Sequence, residues 1–425
     1  MNKKLIALAI ASAVSMPALA DSSNVTLYGM LDAGVDSASN VTASNGTNNV
    51  GRVSDYGSYF GLKGSEDLGG GLSGIWQIEQ GVSVVGSQGT NVNGGGSVVN
   101  GGGSVFGANQ FNNQRNSFVG LSSTAAGSVL VGIHDTPYKM STASMDPFAD
   151  TLGDYNGIVG SSAMASNTAV GAAVGLPAGQ GLSASNYFDL RPSSVLAYVS
   201  PNMGGLTVVG AYVFGDATNV NNPGTTTNIT GGQASNNSSG DAYSIAAMYN
   251  AGPLYLTAAY EKHDFGGLGN GSLALGTPAL SGTSNDAYKL GASYTIMDTT
   301  LSLLYEDSSD NFGTGGTNLL GHSTWYGSIK HTMGAWDVMA AYAQAGNANN
   351  AQLANGASTG ADQWSLGGDY NFSKNTSVFA LYTHIANDAG AYYNFADTTS
   401  SVAEAGTGIA GATISAFSLG IKHTF

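Results

Sequence analysis

The chain has no cysteine among its 425 residues, which excludes a disulfide framework and a thiolate metal site. Charged residues are scarce, at 9% against about 25% in a typical soluble domain, so the composition does not suit an ordinary cytosolic protein. Bases are the scarcer kind, with 12 Lys and Arg against 27 Asp and Glu and a formal net charge of −15. Because nucleic-acid binding needs clustered bases, we expect no nucleic-acid partner.

Long apolar runs are missing too, because no run after residue 20 reaches the roughly 20 residues that a membrane-spanning helix needs. Residues 1–20 instead predict a cleaved signal peptide: two lysines precede a short apolar run, and small residues surround the expected cleavage point after Ala20. We therefore expect residues 21–425 to be exported through a Sec-type pathway and to form one domain. Losing Lys3 and Lys4 makes the exported chain still more acidic.

The exported part alternates apolar and polar residues with a period of two, which predicts β-strands. Val25 and Leu27, for example, alternate with Thr26 and Tyr28. Sixteen such segments are predicted, at about 24–38, 52–65, 71–84, 113–122, 128–135, 188–200, 205–215, 240–250, 253–264, 284–295, 299–307, 321–332, 335–345, 360–371, 375–387 and 412–425. Short turns rich in Gly, Asn, Asp and Pro separate them alternately from long connections rich in Asn, Ser, Thr and Gly.

This pattern predicts an all-β fold: a 16-stranded antiparallel transmembrane β-barrel with short periplasmic turns and long outer loops. In lipid every backbone N–H and C=O must be paired internally, and a sheet achieves this only when it closes. An apolar outer face and a hydrated interior also explain a mean hydropathy of only +0.01. The soluble alternative, a secreted β-sandwich or adhesin, needs neither alternating loop lengths nor so few charges.

Several stretches resemble the general, non-specific trimeric porins of Gram-negative outer membranes. Residues 24–35 are similar to the first strand of that family, and residues 60–72 (FGLKGSEDLGGGL) to its second strand, turn and third strand. Residues 118–122 and 200–206 resemble its fourth strand and its third short turn. The terminal Phe425 is similar to the aromatic residue that the barrel-assembly machinery reads at the end of the last strand.

The resemblance implies a homotrimer in the cell outer membrane, in contact with lipid and lipopolysaccharide. Each barrel is then a water-filled channel for passive diffusion of small hydrophilic solutes and ions. The third long connection, at about residues 136–187, is expected to fold inward and narrow the pore. Acids on that loop would face bases on the wall, which sets an electric field across the gap.

The residues expected at this constriction are Asp146, Asp150 and Asp154 on the loop and Arg115 and Arg191 on the facing wall. The sequence departs from the family at other wall positions, with Tyr59 and Ile133 where arginine is common. Arg52, Lys63 and Lys139 are the bases expected to compensate, and Glu79 is expected to add negative charge to the lumen.

Because the wall has few bases and the chain is acidic overall, we expect the channel to prefer cations. A substrate-selective channel is one alternative, because Tyr59 in place of arginine is compatible with a preference for particular solutes. An adhesin or surface-receptor barrel is another alternative. No enzyme activity and no cofactor is expected, and the six histidines lack the spacing of a metal site.

Overall fold

The fold is taken from a computed structural model, which describes residues 24–39, 49–85, 113–161, 188–214, 241–265, 283–311, 315–349, 358–391, 393–395 and 411–425. The predicted signal peptide and the second half of the predicted inward loop, from residue 162 to residue 187, lie outside the described residues. No helix among the described residues is long and apolar enough to cross a membrane.

The described residues form one closed antiparallel sheet of eighteen strand segments. Their bounds are β1 (Asn24–Ser39), β2 (Asn49–Asp55), β3 (Tyr59–Gly69), β4 (Leu72–Gly81), β5 (Asn113–Gln114), β6 (Ser117–Ser123), β7 (Gly127–Ile133), β8 (Val195–Val199), β9 (Leu206–Val213), β10 (Ala242–Ala251), β11 (Leu254–Phe265), β12 (Thr283–Ile296), β13 (Thr299–Asp310), β14 (Ser323–Met333), β15 (Trp336–Ala345), β16 (Ala361–Asn371), β17 (Thr376–Asn387) and β18 (Thr413–Thr424). The sheet closes where β1 pairs with β18, from Met30 opposite Thr424 to Ser39 opposite Ser415.

The wall has sixteen strand positions, because two of them are each filled by two segments. Both β2 and β3 pair along β1, and both β5 and β6 pair along β4. The predicted sixteen-stranded antiparallel barrel is therefore confirmed. The first interruption lies at residues 56–58, where Gly57 takes a φ of +73° and the Ser58 N–H donates to Oδ1 of Asp55 at 2.9 Å. Sequence alternation continues across such a break, so it gave no sign of one.

The alternation places apolar side chains outside and polar ones inside, as expected. On β18, Phe417, Leu419 and Ile421 are exposed on the outer face, whereas Ser418 between them is buried inside. A bilayer covers such an outer face, so the apolar surface that a monomer leaves open is the surface expected to meet lipid.

The prediction of a strand over residues 188–200 was too long, because β8 covers only Val195–Val199. Asp189 and Ser194 take left-handed conformations, with φ of 63° and 58°, which a strand does not contain. Pro192 between them lacks the N–H that a ladder hydrogen bond requires. The stretch before β8 is therefore the returning limb of the inward loop rather than wall.

The turn predicted at residues 66–70 also starts later than expected. β3 continues to Gly69 through a register irregularity between Asp67 and Gly69, and Gly70 and Gly71 form the turn with φ of 63° and 79°. Positive φ in succession suits glycine, which has no Cβ to clash with the backbone.

Candidate functional site

Residues 136–161, called here the inner segment, lie inside the barrel against one side of its wall. The segment begins with the short helix α1 (Pro137–Thr142), whose N-cap Thr136 accepts a hydrogen bond from the Lys139 N–H at 3.3 Å. The Tyr138 N–H donates to Oγ of Ser244 on β10 at 2.9 Å, and the Tyr255 hydroxyl of β11 donates to the Ser141 carbonyl at 2.6 Å.

Farther along, the inner segment contacts β14 and β16. Oγ of Ser328 on β14 donates to the Met145 carbonyl at 2.7 Å, and Oγ of Ser365 on β16 donates to the Gly153 carbonyl at 3.2 Å. Each bond joins an inward-facing hydroxyl of the wall to a backbone carbonyl of the inner segment. The inner segment therefore lines the β10–β16 side and leaves the β1–β7 side as the facing wall.

A buried cluster around Lys289 of β12 holds both limbs of the inward loop. The Lys289 ammonium has no solvent exposure and forms an ion pair with Asp189 of the returning limb. It donates to Oγ1 of Thr142 at 3.2 Å, lies 3.9 Å from Oε2 of Glu306 on β13 and sits 4.2 Å from the ring centre of Tyr138. One cation thus links the wall to α1 and to the returning limb.

Glu306 of β13 adds two further links from the same cluster. It accepts the Tyr138 hydroxyl at 2.8 Å and the Gly160 N–H at 2.8 Å. Neither Lys289, Glu306 nor Asp189 was expected from the sequence to have a role. Lys289 and Glu306 stand at inward positions of predicted strands, which is the one signal in the sequence. No local pattern indicates that the inward loop contacts them.

Two of the three predicted loop acids accept hydrogen bonds from backbone N–H groups of the inner segment itself. Asp146 is buried and accepts hydrogen bonds from the N–H groups of Phe148 and Tyr155, both at 2.9 Å, and from the Tyr326 hydroxyl of β14 at 3.0 Å. Burial raises the pKa of Asp146 to about 6, although those hydrogen bonds act in the opposite direction. This carboxyl group fixes the shape of the segment and its place on the wall.

Asp154 also bonds within the inner segment. It caps the short 3-10 helix Tyr155–Gly157 by accepting the Asn156 N–H at 2.8 Å, and its second oxygen accepts the Asp150 N–H at 3.0 Å. Burial, and then the nearby charge of Asp146, raises the pKa of Asp154 well above its ordinary value.

Asp150 is the loop acid that remains exposed, at the tip of the inner segment. It holds a left-handed backbone conformation with a φ of 60°, which aspartate tolerates better than most residues. A Cβ added at Gly57 would lie 3.6 Å from Oδ1 of Asp150 and 3.9 Å from Nη1 of Arg115. The tip of the segment and the first arginine of the facing wall therefore meet at the same glycine.

On the facing wall, Arg115 lies beside an acid and an aromatic ring. Its Nε donates to Oε1 of Glu79 at 2.5 Å, and its guanidinium carbon lies 4.6 Å from the ring centre of Tyr59. Oε2 of Glu79 accepts the Tyr28 hydroxyl at 3.0 Å. The structure thus brings Arg115, Glu79 and Tyr59 together, and Lys63 joins the group from the short-turn side, 5.0 Å from the Tyr28 ring centre.

Arg191 was expected on the facing wall but lies on the returning limb, because β8 begins only at Val195. It also has an acid beside it, which the sequence did not reveal. Its Nε lies 2.8 Å from Oδ1 of Asp135, and Nζ of Lys139 lies 3.6 Å from the same oxygen. Nδ2 of Asn116 donates to the other oxygen of Asp135 at 2.8 Å. Burial would raise the pKa of Asp135, but the charges of Arg191 and Lys139 and these hydrogen bonds outweigh it, so the pKa lies below its ordinary value.

The fold and this arrangement can be compared with known proteins. The sequence pattern of a family described as Gram-negative porin matches residues 7–390. The chain belongs to the Gram-negative porin family. Membership places this porin in the outer membrane, and its relatives are channel proteins rather than enzymes.

Curated relatives match a limited part of the porin. Major outer membrane protein P.IB of Neisseria gonorrhoeae is 36% identical over 150 residues, which is 34% of this chain and 36% of the relative. P.IB of Neisseria meningitidis serogroup B is 37% identical over 163 residues, which is 37% of this chain and 40% of the relative. The porin thus spans well under two thirds of the length of these relatives.

Solved structures match nearly the whole chain at lower identity. The anion-selective porin from Comamonas acidovorans has a TM-score of 0.67 at 22% identity, over 95% of this chain and 100% of that one. The trimer form of OmpT from Vibrio cholerae has a TM-score of 0.57 at 14% identity, over 95% and 100%. At these identities the likeness establishes the barrel fold alone.

Proposed function

We propose that this porin forms a water-filled channel for the passive diffusion of small hydrophilic solutes and ions. The observation that carries the proposal is the inner segment bonded to one side of a closed barrel, with its exposed Asp150 reaching the facing wall at Gly57. Such a narrowing in a polar interior sieves solutes by size and acts on them through its charges. Recording from purified protein in planar bilayers tests this: stepwise conductance is expected, and electrically silent membranes would refute it.

We infer that the channel prefers cations. Arg115 pairs with Glu79, whereas Arg191 and Lys139 share Asp135. With the exposed Asp150 close to Arg115, these acids leave little net positive charge from the three bases. The whole chain has a net charge of −15, which favours cations near the pore. The reversal potential across a salt gradient measures the preference, and a clear anion preference, as named for the Comamonas acidovorans porin, would overturn it.

We also propose that the porin assembles as a homotrimer through the outer face of β1, β6 and β7. Aromatic side chains suited to membrane interfaces stand on the outer face of β10–β17, among them Tyr249, Tyr294 and Trp336. The outer face of β1, β6 and β7 carries exposed aliphatic side chains instead, such as Leu27 and Val119. A solved neighbour, OmpT of Vibrio cholerae, is described in a trimer form.

Cysteine labelling tests this interface, because the chain has no cysteine of its own. We expect Val119→Cys to be protected from a lipid-soluble maleimide in the assembled protein. Leu303→Cys, at an exposed outward position of β13, is the matched control and is expected to react. Equal labelling of the two variants would contradict the interface.

We propose two membrane partners, one at the C-terminal strand and one at the outer surface. The backbone of Phe425 exchanges two hydrogen bonds with Gly29 of β1, at 3.0 and 3.1 Å, and its side chain is half-exposed. We propose that the barrel-assembly machinery reads this end, and that the outer surface contacts lipid and lipopolysaccharide. Deleting Phe425 is expected to lower the folded yield in the outer membrane, and an unchanged yield would contradict the first proposal.

A substrate-selective channel is the second candidate. It is favoured by the rings of Tyr28 and Tyr59, which lie 6.2 Å apart on the facing wall with a cation over each. Aromatic faces beside hydrogen-bonding groups can bind sugars or planar solutes. Liposome swelling with sugars of increasing mass separates the two candidates, because a sieve gives a smooth decline and a binding site gives an outlier.

A further inference from the structure

Arg115 on the facing wall and Arg191 on the returning limb each have a carboxylate beside them. Arg115 bonds to Glu79 at 2.5 Å, and Nε of Arg191 lies 2.8 Å from Asp135. The two pairs are neighbours, because Asn116, the residue after Arg115, donates to Asp135 at 2.8 Å and accepts the Asp135 N–H at 2.8 Å. These residues therefore form two adjacent acid–base pairs rather than a line of bases without counter-charges.

Both acids are held in place by groups besides their arginines. Glu79 accepts the Tyr28 hydroxyl at 3.0 Å, and its side chain is only 8% exposed. The Asp135 side chain is 16% exposed and also receives the Asn116 amide. These contacts hold both carboxylates in place beside the guanidinium groups.

We propose that Glu79 and Asp135 are selectivity-determining residues, each of which neutralises one arginine and removes its field from the ion path. This inference rests on the proposed channel function, since it concerns the charges that a permeating ion meets. An opposite charge within about 3 Å cancels most of the field that an arginine exerts farther out, because the pair acts as a dipole rather than as a single charge.

Neutralising either acid should therefore move the channel toward anions. A unit charge about 10 Å from the ion path in water changes the local concentration of monovalent ions about twofold, in opposite directions for cations and anions. We expect the cation-to-anion permeability ratio to fall by about fourfold in Glu79→Gln and again by about fourfold in Glu79→Gln/Asp135→Asn. Reversal potentials in a potassium chloride gradient give this ratio for each variant.

The matched control removes an equivalent acid outside the pore. Asp264 lies 2.8 Å from Lys262, and both stand at outward positions of β11. Asp264→Asn changes the net charge of the chain by the same amount, so a response to total charge alone would appear there too. We expect its permeability ratio to stay within a factor of two of the unaltered protein.

Removing the arginine together with its acid separates an electrostatic effect from a collapsed constriction. Glu79→Gln/Arg115→Gln and Asp135→Asn/Arg191→Gln should return the ratio close to that of the unaltered protein. If the acid variants leave the ratio unchanged, match the Asp264→Asn control or are not restored by these double changes, the inference is wrong. If the unaltered protein prefers anions but the acid variants shift as expected, the proposed cation preference fails and the inference stands.

Discussion

The Lys289 cluster offers the sharpest test of how the inner segment is held. Replacing Lys289 by methionine keeps an unbranched side chain, one atom shorter, and removes its charge. Asp189 and Glu306 then remain buried, with side-chain exposures of 0% and 3%, without a counter-charge. Removing one partner of a buried ion pair typically costs about 3–5 kcal/mol, because the remaining charge stays desolvated. We therefore expect the unfolding free energy of Lys289→Met to fall by about that amount.

Urea unfolding in detergent micelles, followed by tryptophan fluorescence and by gel mobility, measures this loss. Lys330→Met is the matched control, because Lys330 also pairs with an inward acid, Asp337 at 3.1 Å, but is 42% exposed. Such an exposed pair contributes only about 0–1 kcal/mol. Similar losses in the two variants would refute the reasoning.

A triple variant, Lys289→Met/Asp189→Asn/Glu306→Gln, tests the mechanism itself. It leaves no buried charge in the cluster, and asparagine tolerates the left-handed backbone that Asp189 adopts. Replacing a whole buried ion cluster by well-packed hydrophobic residues is often close to neutral in stability, whereas leaving one charge without its partner is costly. We expect the triple variant to recover part of the stability lost in Lys289→Met, and a further loss would show that packing rather than charge dominates.

Three shorter predictions concern the constriction and the barrel closure. Asp150→Asn removes the exposed acid and keeps a residue that tolerates a φ of 60°, so the folded yield should not change. The cation-to-anion permeability ratio should fall about fourfold. An unchanged ratio would place Asp150 away from the ion path. The pKa of Asp146 is about 6 in the fold and about 4 unfolded, so the native protein holds this proton more tightly. The unfolding free energy should therefore fall as pH rises from about 4 to 6. The urea midpoint of Asp146→Asn should lack this dependence on pH, and equal dependence in the two proteins would contradict the prediction. Gly29→Ala would bring a Cβ within 2.5 Å of the Phe425 ring and 2.7 Å of the Tyr59 carbonyl. We expect the unfolding free energy in urea to fall by about 1–3 kcal/mol. Unaltered stability would show that the C-terminal residue moves aside without cost.

The candidate site was predicted in part, and the part that was missed has a common cause. The sequence indicated that Arg115, Glu79 and Tyr59 belong to the pore wall, and the fold brings them together. It gave no sign that Asp135 pairs with Arg191, 56 residues away. Such a pairing depends on the path of the returning limb, which local alternation does not encode.

The loop acids show the same limit from another side. Asp146, Asp150 and Asp154 are chemically alike and lie within nine residues, so the sequence offers no reason to separate them. In the fold, backbone N–H groups bind Asp146 and Asp154, and only Asp150 is left exposed at the tip. Which carboxylate is free depends on the turns of the inner segment and on its contact with Tyr326.

The sequence by itself determined the sheet, its strand number and its two faces, because period-two alternation and turn residues act locally and a bilayer admits no unpaired edge. Tertiary structure alone decided which charges meet: Lys289 with both limbs of the inward loop, and Arg115 and Arg191 each with its own acid. Coulomb interactions depend on distances between residues far apart in the chain, and those distances exist only once the barrel has closed around the inner segment.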